Sequence, residues 1–168
     1  MKYEKITFSG LKLIGVAKEI PLAKGAEECP KFWNEFVGKY LKSTADGTEP
    51  ASHQQAIRDN MIGEYAPCFC DMEKGTFLYV IGGIYQGGDV PEGFALYDLP
   101  DGEWLKFEFE GGMEAFHQQY TEVYDKFLPA HPELQARMDI NVEWYDGMDM
   151  NASDYRCGVM LPLKSEIQ

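Results

Sequence analysis

One acidic residue, Glu143, lies in a segment whose side chains alternate between apolar and polar. Because successive side chains of a strand point to opposite faces, this alternation places Glu143 on one face together with Asn141 and Tyr145. The other face carries the apolar residues of the segment, Ile140, Val142 and Trp144. A carboxylate in apolar surroundings favours a neighbouring cation, and tyrosine rings add cation–π attraction. The same two groups, a base and a hydroxyl donor, also suit acid–base chemistry.

A second strand, at residues 75–85, carries further tyrosines. Its aliphatic side chains Leu78, Val80 and Ile84 share one face, and Phe77, Tyr79 and Tyr85 share the other. If the aliphatic faces meet the helices, the opposite face is aromatic and contains one carboxylate. The residues expected there are Tyr79, Tyr85, Glu143 and Tyr145.

Each of these side chains also has a plain structural interpretation. Glu143 can be an ion-pair partner of Arg156 or Arg137, or an exposed acid at a strand edge. The tyrosines can be ordinary half-buried residues of a sheet, where tyrosine is favoured. Spacing alone leaves both interpretations open.

Metal and redox chemistry are not indicated. The chain has four cysteines, but Cys68 and Cys70 form a lone C-x-C, without a second pair or a nearby histidine. His53, His117 and His131 are scattered. We therefore expect reduced, buried thiols, no metal site and no cofactor.

Composition limits the class of protein and its partners. The 168 residues are 45% hydrophobic, and the net charge is 15 − 28 = −13. Such a surface repels phosphate backbones and anionic lipids, so neither nucleic acid nor a membrane is an expected partner. No apolar run reaches the length of a membrane span, and the start of the chain does not resemble a signal peptide. We expect a cytoplasmic protein.

The elements follow a pattern of strand, helix, strand, strand that occurs twice. Apolar spacing predicts one helix at 30–42, with Pro30 in its first turn, and another that follows Gly111 and Gly112 and ends near Pro129. The polar stretch 43–60 reads as a surface connection. The pattern predicts a single α+β domain over 1–168, with half-repeats at about 1–90 and 91–168. The strands are expected to form an antiparallel sheet with two helices on one face and a ligand cleft on the other.

Four segments resemble motifs of one known family, the GyrI-like small-molecule-binding domains. They are FLYVIG (77–82), LPDGEW (99–104) followed by EG (110–111), YDKFLP (124–129) and VEWY (142–145). The third segment has Phe127 where the family usually has tryptophan. The same domain forms the effector-binding half of some AraC- and MerR-type regulators.

The resemblance implies a pair of β-α-β-β units related by a pseudo-twofold axis, with a ligand site between them. In that site a glutamate matching Glu143 lies among aromatic rings and meets cationic, often aromatic, compounds. Trp33, Phe94 and Tyr97 are further pocket candidates. We therefore expect a stand-alone binder of a cationic or planar hydrophobic molecule, acting by sequestration or through a protein partner.

Two other functions stay open. Some members of the family look like hydrolases that open electrophilic, cyclopropane-bearing toxins. In that case Glu143 would be the general base, and Tyr145 or Tyr79 the acid. Others are named as topoisomerase modulators. An acidic surface can mimic the charge of DNA, but such a net charge is common in cytosolic proteins, so this function ranks last.

Overall fold

The strands and helices fall into two compact units. The structure is a computed structural model, and it describes residues 1–42, 46–48, 51–147, 150, 152 and 154–165. Contacts divide the chain into a central unit, Lys12–Asp98, and a terminal unit, Met1–Leu11 with Leu99–Gln168. Both units combine helices with antiparallel strands, so the α+β class is confirmed.

The central unit contains four strands in the order β3-β4-β2-β5. The strands are β2 (Lys12–Pro21), β3 (Tyr65–Asp71), β4 (Thr76–Ile84) and β5 (Ala95–Asp98). A helix, α1, spans Gly25–Phe36 and continues as a π-helical segment, Val37–Lys42, while α2 spans Ala51–Asp59.

The terminal unit has the order β1-β6-β8-β7. Its strands are β1 (Lys2–Phe8), β6 (Gly102–Phe109), β7 (Ile140–Tyr145) and β8 (Cys157–Pro162). Between β6 and β7, α3 (Phe116–Glu122) continues through the π-helical segment Val123–Phe127 into α4 (Leu128–Ala130). Strand, helix, strand, strand thus occurs in each unit, and the half-repeat boundary near residue 90 stays a prediction. Among the described residues, no helix combines the length and the apolar composition that crossing a membrane requires.

The first helix begins earlier than predicted. Pro30 is not in the first turn but at the sixth position of α1, because the helix begins at Gly25. Lys31 lies 2.9 Å from Glu27 and 3.5 Å from Glu28, so pairs three and four residues apart stabilise this first part. Apolar periodicity misses such a start because these side chains are polar.

The prediction of a surface connection over 43–60 is wrong in part. Residues 43–45 and 49–50 lie outside the described residues, but Ala51–Asp59 forms α2. Its two buried residues, Ala56 and Ile57, are adjacent and produce no visible period. Asn60 follows the helix, and its side-chain amide donates to the backbone oxygen of Ala56 at 2.9 Å.

The predicted assignment of the sheet faces is also wrong in both units. The Tyr79 ring contacts Phe32 of α1 with centroids 6.3 Å apart, so the aromatic face of β4 meets the helix. In the terminal unit, Tyr145 stacks on Phe116 of α3 at 5.7 Å. Tyrosine has a polar hydroxyl on a large apolar ring, so it suits a helix that supplies a ring contact and a hydrogen bond, as α1 does for Tyr79 through Phe32 and Trp33.

A tryptophan fixes the opposite face of β7. Trp144 Nε1 donates to the backbone oxygen of Phe107 at 2.9 Å, although Phe107 lies on β6 and β8 is the strand between. The register pairs Trp144 with Gly158, and Lys106 lies 4.4 Å from the centre of the indole ring. A Cβ added at Gly158 would lie 1.8 Å from Phe107 O and 2.7 Å from Trp144 Nε1. Only glycine leaves room for this hydrogen bond.

We predict that Gly158→Ala lowers the free energy of unfolding by about 2 kcal/mol or more, because a buried backbone contact must open. Gly38→Ala is the matched control, since an added Cβ there meets nothing within 4 Å. The control should be neutral or stabilising by about 0.5 kcal/mol, since alanine is the better helix former. Urea unfolding measures both. Equal stability of the two variants would contradict the role of Gly158.

Candidate functional site

The carboxylate of Glu143 and the hydroxyl of Tyr145 form a direct pair. Tyr145 OH donates a hydrogen bond to Glu143 Oε2, and both side chains are partly buried. The register pairs Glu143 with Val159 and Tyr145 with Cys157 of β8, both fully buried. The carboxylate therefore lies beside buried apolar residues of β8 and is oriented by a phenol. The alternation along β7 predicted only that Glu143 and Tyr145 share a face.

Aromatic rings continue from this pair along the helical segment. The Tyr145 ring is stacked on Phe116 with an interplanar angle of 24°, and Phe116 is stacked on Tyr120 at 6.2 Å. Tyr124 follows, with its ring centre 5.1 Å from that of Tyr120. These residues lie one helical turn apart, so one side of the segment presents successive rings.

The two arginines considered as partners of Glu143 pair with other acids. Arg156 Nε donates to Glu108 Oε1 at 2.6 Å, and Arg137 Nη2 lies 2.7 Å from Asp139 Oδ2. The interpretation of Glu143 as the ion partner of these arginines is therefore wrong. Hydrogen bonds from Arg156 and from Lys2 lower the pKa of Glu108 from 4.5 to about 2.

The thiol beside Tyr145 is not set up as a nucleophile. Cys157 is fully buried, and desolvation with the nearby charge of Glu108 raises its pKa to about 11. Burial likewise raises the pKa of Tyr155 to about 12. Both groups therefore stay protonated at neutral pH, and neither adds negative charge to this side of the unit.

In the central unit, Trp33 and Tyr79 are brought together. Trp33 Nε1 donates to Tyr79 OH at 2.8 Å, and Tyr79 is only 2% exposed. Tyr79 also contacts Phe77 at 6.3 Å, edge to face. These two predicted residues thus form an aromatic pair between α1 and β4, in which Tyr79 is buried and Trp33 is partly buried.

The other predicted aromatic residues lie elsewhere in the central unit. Phe94 is buried and stacks on His53 with rings 5.3 Å apart and 8° from parallel. Tyr97 stacks on Phe69 at 6.2 Å, and the strand register places it on the sheet face opposite Tyr79. Tyr85 OH donates to the backbone oxygen of Gly88, in the loop after β4. Tyr85 and Tyr97 therefore do not gather around Trp33 and Tyr79, whereas Phe94 is linked to Trp33 through the rings of Tyr40 and Phe36.

Three residues on the strand face or in the ring stack of the Glu143–Tyr145 pair were not predicted as site residues. Phe116 and Tyr120 were assigned to a helix face, and Asn141 only to the polar side of its strand. The available signal was parity, because Asn141 shares its face with Glu143 and Tyr145. The aromatic spacing after Gly112 was the other signal.

Surface depressions of the terminal unit are less specific candidates. One, of about 600 Å³, is lined by both acids and bases, among them Glu108, Glu122, Lys2 and Lys126. Another, of about 430 Å³, is lined by residues that include Met113, Met150 and Tyr155. The mixed charge of the first depression favours no particular ligand. A carboxylate beside aromatic rings, such as that of Glu143, favours a positively charged one.

The chain belongs to the family of GyrI-like small molecule binding domains, because the model of this family matches residues 1–164. The predicted family is thus confirmed, and with it the general class of small-molecule binding. A comparison with curated proteins found no match.

Solved structures share the fold. SAV2435 bound to tetraphenylphosphonium is 17% identical, with a TM-score of 0.73 over 98% of this chain and 94% of that chain. A proposed bacterial transcription regulation protein from Staphylococcus aureus MU50 is 18% identical, with a TM-score of 0.71 over 98% and 99%. An uncharacterized conserved protein from Listeria innocua is 13% identical, with a TM-score of 0.51 over 96% and 91%. At these identities the likeness concerns the fold, which agrees with the predicted class.

The ion pairs of Glu108 predict a specific pH dependence of stability. Because its pKa in the folded protein is about 2 instead of 4.5, Glu108 stabilises the fold above pH 4.5, and this contribution is lost as the pH falls toward 2. We expect Glu108→Gln to be less stable by about 1 kcal/mol at pH 7 and to show a smaller loss of stability on acidification. Urea unfolding at pH 7, 4 and 3 checks this, and parallel curves for the two proteins would contradict it.

Proposed function

We propose that this protein binds aromatic cations through the carboxylate of Glu143 and the rings beside it. The observation that carries the proposal is the hydrogen bond from Tyr145 to Glu143, next to the ring of Phe116. It holds a partly buried negative charge against flat apolar surfaces. A ligand with a positive charge and aromatic groups satisfies both features.

Electrostatics support a cation over a neutral or anionic ligand. A carboxylate held away from water regains part of its lost hydration energy from a nearby positive charge. Tyrosine and phenylalanine faces attract the same charge, by about 0.5–2 kcal/mol for each well-placed ring. The net charge of −13 favours the approach of cations over longer distances.

The family and one structural neighbour support the same chemistry. The domain is a small-molecule-binding one, and SAV2435, which shares its fold, is bound to the aromatic cation tetraphenylphosphonium. Trp33, Tyr79, Tyr85, Phe94 and Tyr97 stay proposed contributors to ligand binding. A site between the two units, with its ligand cleft, stays a prediction of the family resemblance.

We expect Glu143→Gln to bind tetraphenylphosphonium at least about tenfold more weakly than wild type, or about 1.4 kcal/mol, because the negative charge is removed without a change of shape. Isothermal titration calorimetry in about 0.15 M salt measures this and limits general attraction by the acidic surface. Glu73→Gln is the matched control, since it removes one exposed charge in the turn after β3. Equal affinity of Glu143→Gln and wild type would refute the proposal.

Hydrolysis is the second candidate, and the hydrogen bond between Tyr145 and Glu143 is what favours it. Glu143 would take a proton from water, and the hydroxide would attack the cyclopropane carbon. As the ring bond breaks, its electron pair would move to the conjugated carbonyl oxygen, which Tyr145 would protonate. The protonated carboxyl would then return its proton to the phenolate.

Mass spectrometry of ligands recovered after incubation separates the two functions. For a binder, we expect a cyclopropane-bearing electrophile to return with its mass unchanged. A product heavier by one water molecule, formed by wild type and by neither Glu143→Gln nor Tyr145→Phe, would make the protein a hydrolase. No observation of the described residues favours a topoisomerase partner, and that function is not proposed.

A further inference from the structure

A buried amide oxygen lies on the same strand face as the Glu143–Tyr145 pair. Asn141 is 5% exposed, and its Oδ1 has no hydrogen-bond partner among the described residues. Because Asn141, Glu143 and Tyr145 alternate along β7, all three side chains leave the strand on one side. An acceptor without a donor therefore lies next to the proposed cation site.

Asn60, the other buried asparagine, shows how such a side chain is normally satisfied. It is 4% exposed, its Nδ2 donates to Ala56 O at 2.9 Å, and its Oδ1 accepts from the backbone N–H of Gln86 at 2.8 Å. Nearly all buried polar groups in folded proteins have such partners, and an exception calls for an explanation. A hydrogen-bond donor on a bound ligand is one explanation, and the position of Asn141 beside Glu143 favours it.

We propose that Asn141 Oδ1 accepts an N–H from the bound cation, so that the site selects protonated amines or amidinium groups on an aromatic body. This inference rests on the proposed function. Onium ions whose charge is fully substituted, such as tetraphenylphosphonium, would bind through Glu143 and the rings but would leave this acceptor unsatisfied.

The spacing of the two oxygen-bearing residues suits such a ligand. Residues two apart in a strand are separated by about 6.6 Å. One ammonium nitrogen at about 2.9 Å from each of two oxygens bridges nearly 6 Å, and an amidinium, with two nitrogens, bridges more. Rotation of the Asn141 and Glu143 side chains then needs to change the distance between their oxygens only slightly.

The test compares two ligands that differ only in their N–H donors, naphthylmethylammonium and its N,N,N-trimethyl analogue. Wild type should bind the primary ammonium more tightly. Asn141→Leu should weaken that affinity by about tenfold or more, because a hydrogen bond to a charged donor is lost. The same variant should change the affinity for the trimethyl analogue less than about twofold, because a trimethylammonium group has no N–H to donate.

The variant is expected to fold, since leucine replaces a buried acceptor that has no partner with an apolar group of similar size. Its free energy of unfolding without ligand should equal or exceed that of wild type. Asn60→Leu is the matched control and should be clearly less stable, because the backbone N–H of Gln86 loses its acceptor. Ala56 O keeps the bond from the backbone N–H of residue 60.

The outcomes separate this inference from the function on which it rests. Equal changes for the two ligands in Asn141→Leu, or no change for either, would overturn the role of Asn141. If, in that case, Glu143→Gln lowers the affinity for both ligands, cation binding at Glu143 still holds. If Glu143→Gln changes neither ligand, the proposed function fails as well. A loss confined to the primary ammonium supports the inference.

Discussion

The hydrogen bond from Trp144 Nε1 to Phe107 O determines which side chains of β7 are available for a ligand. It reaches from β7 past β8 to β6, and it exists because Gly158 has no side chain in its path. Because the indole is fixed on one face, strand alternation places Asn141, Glu143 and Tyr145 on the other face. A slip of one residue would bury Trp144 against the helical segment and turn the carboxylate away. This buried hydrogen bond, worth about 1 kcal/mol, thus adds to the burial of Ile140 and Val142 in favouring the register on which the proposed binding chemistry depends.

On the helical face, the tyrosine fixes the carboxylate before any ligand arrives. Tyr145 is itself held by its stack on Phe116, and it donates its hydroxyl to Glu143. A side chain that is already oriented loses little conformational entropy on binding. The hydrogen bond therefore holds the carboxylate of Glu143 close to the stacked rings. Rigid rings and a rigid anion favour ligands that are flat and positively charged over flexible neutral ones.

Periodicity in the sequence was sufficient to place Glu143 and Tyr145 on one side of β7, and Val142 and Trp144 on the opposite side. It was not sufficient to say which side meets the helices, because alternation is symmetric between the two faces. The faces are decided by partners distant in sequence, such as Trp33, which donates to Tyr79 across 46 residues. Helix α2 was not predicted either, because Ala56 and Ile57 are its only buried residues and form no period. The family motifs supplied the general function, but no local pattern indicated that Asn141 would be buried without a donor.

Selectivity for one cation over another must come from short-range groups. The net charge of −13 attracts every cation alike, and at physiological salt this attraction is screened beyond about 8 Å. The rings of Phe116 and Tyr120 favour flat ligands but do not distinguish an ammonium from a phosphonium of similar shape. A carboxylate accepts a hydrogen bond from any donor, and it also attracts a cation that has no donor. An amide oxygen that is buried without a partner does discriminate, because its desolvation has already occurred and only a ligand with an N–H relieves it. In the proposed site, Glu143 would therefore supply the affinity for cations, and Asn141 the discrimination among them.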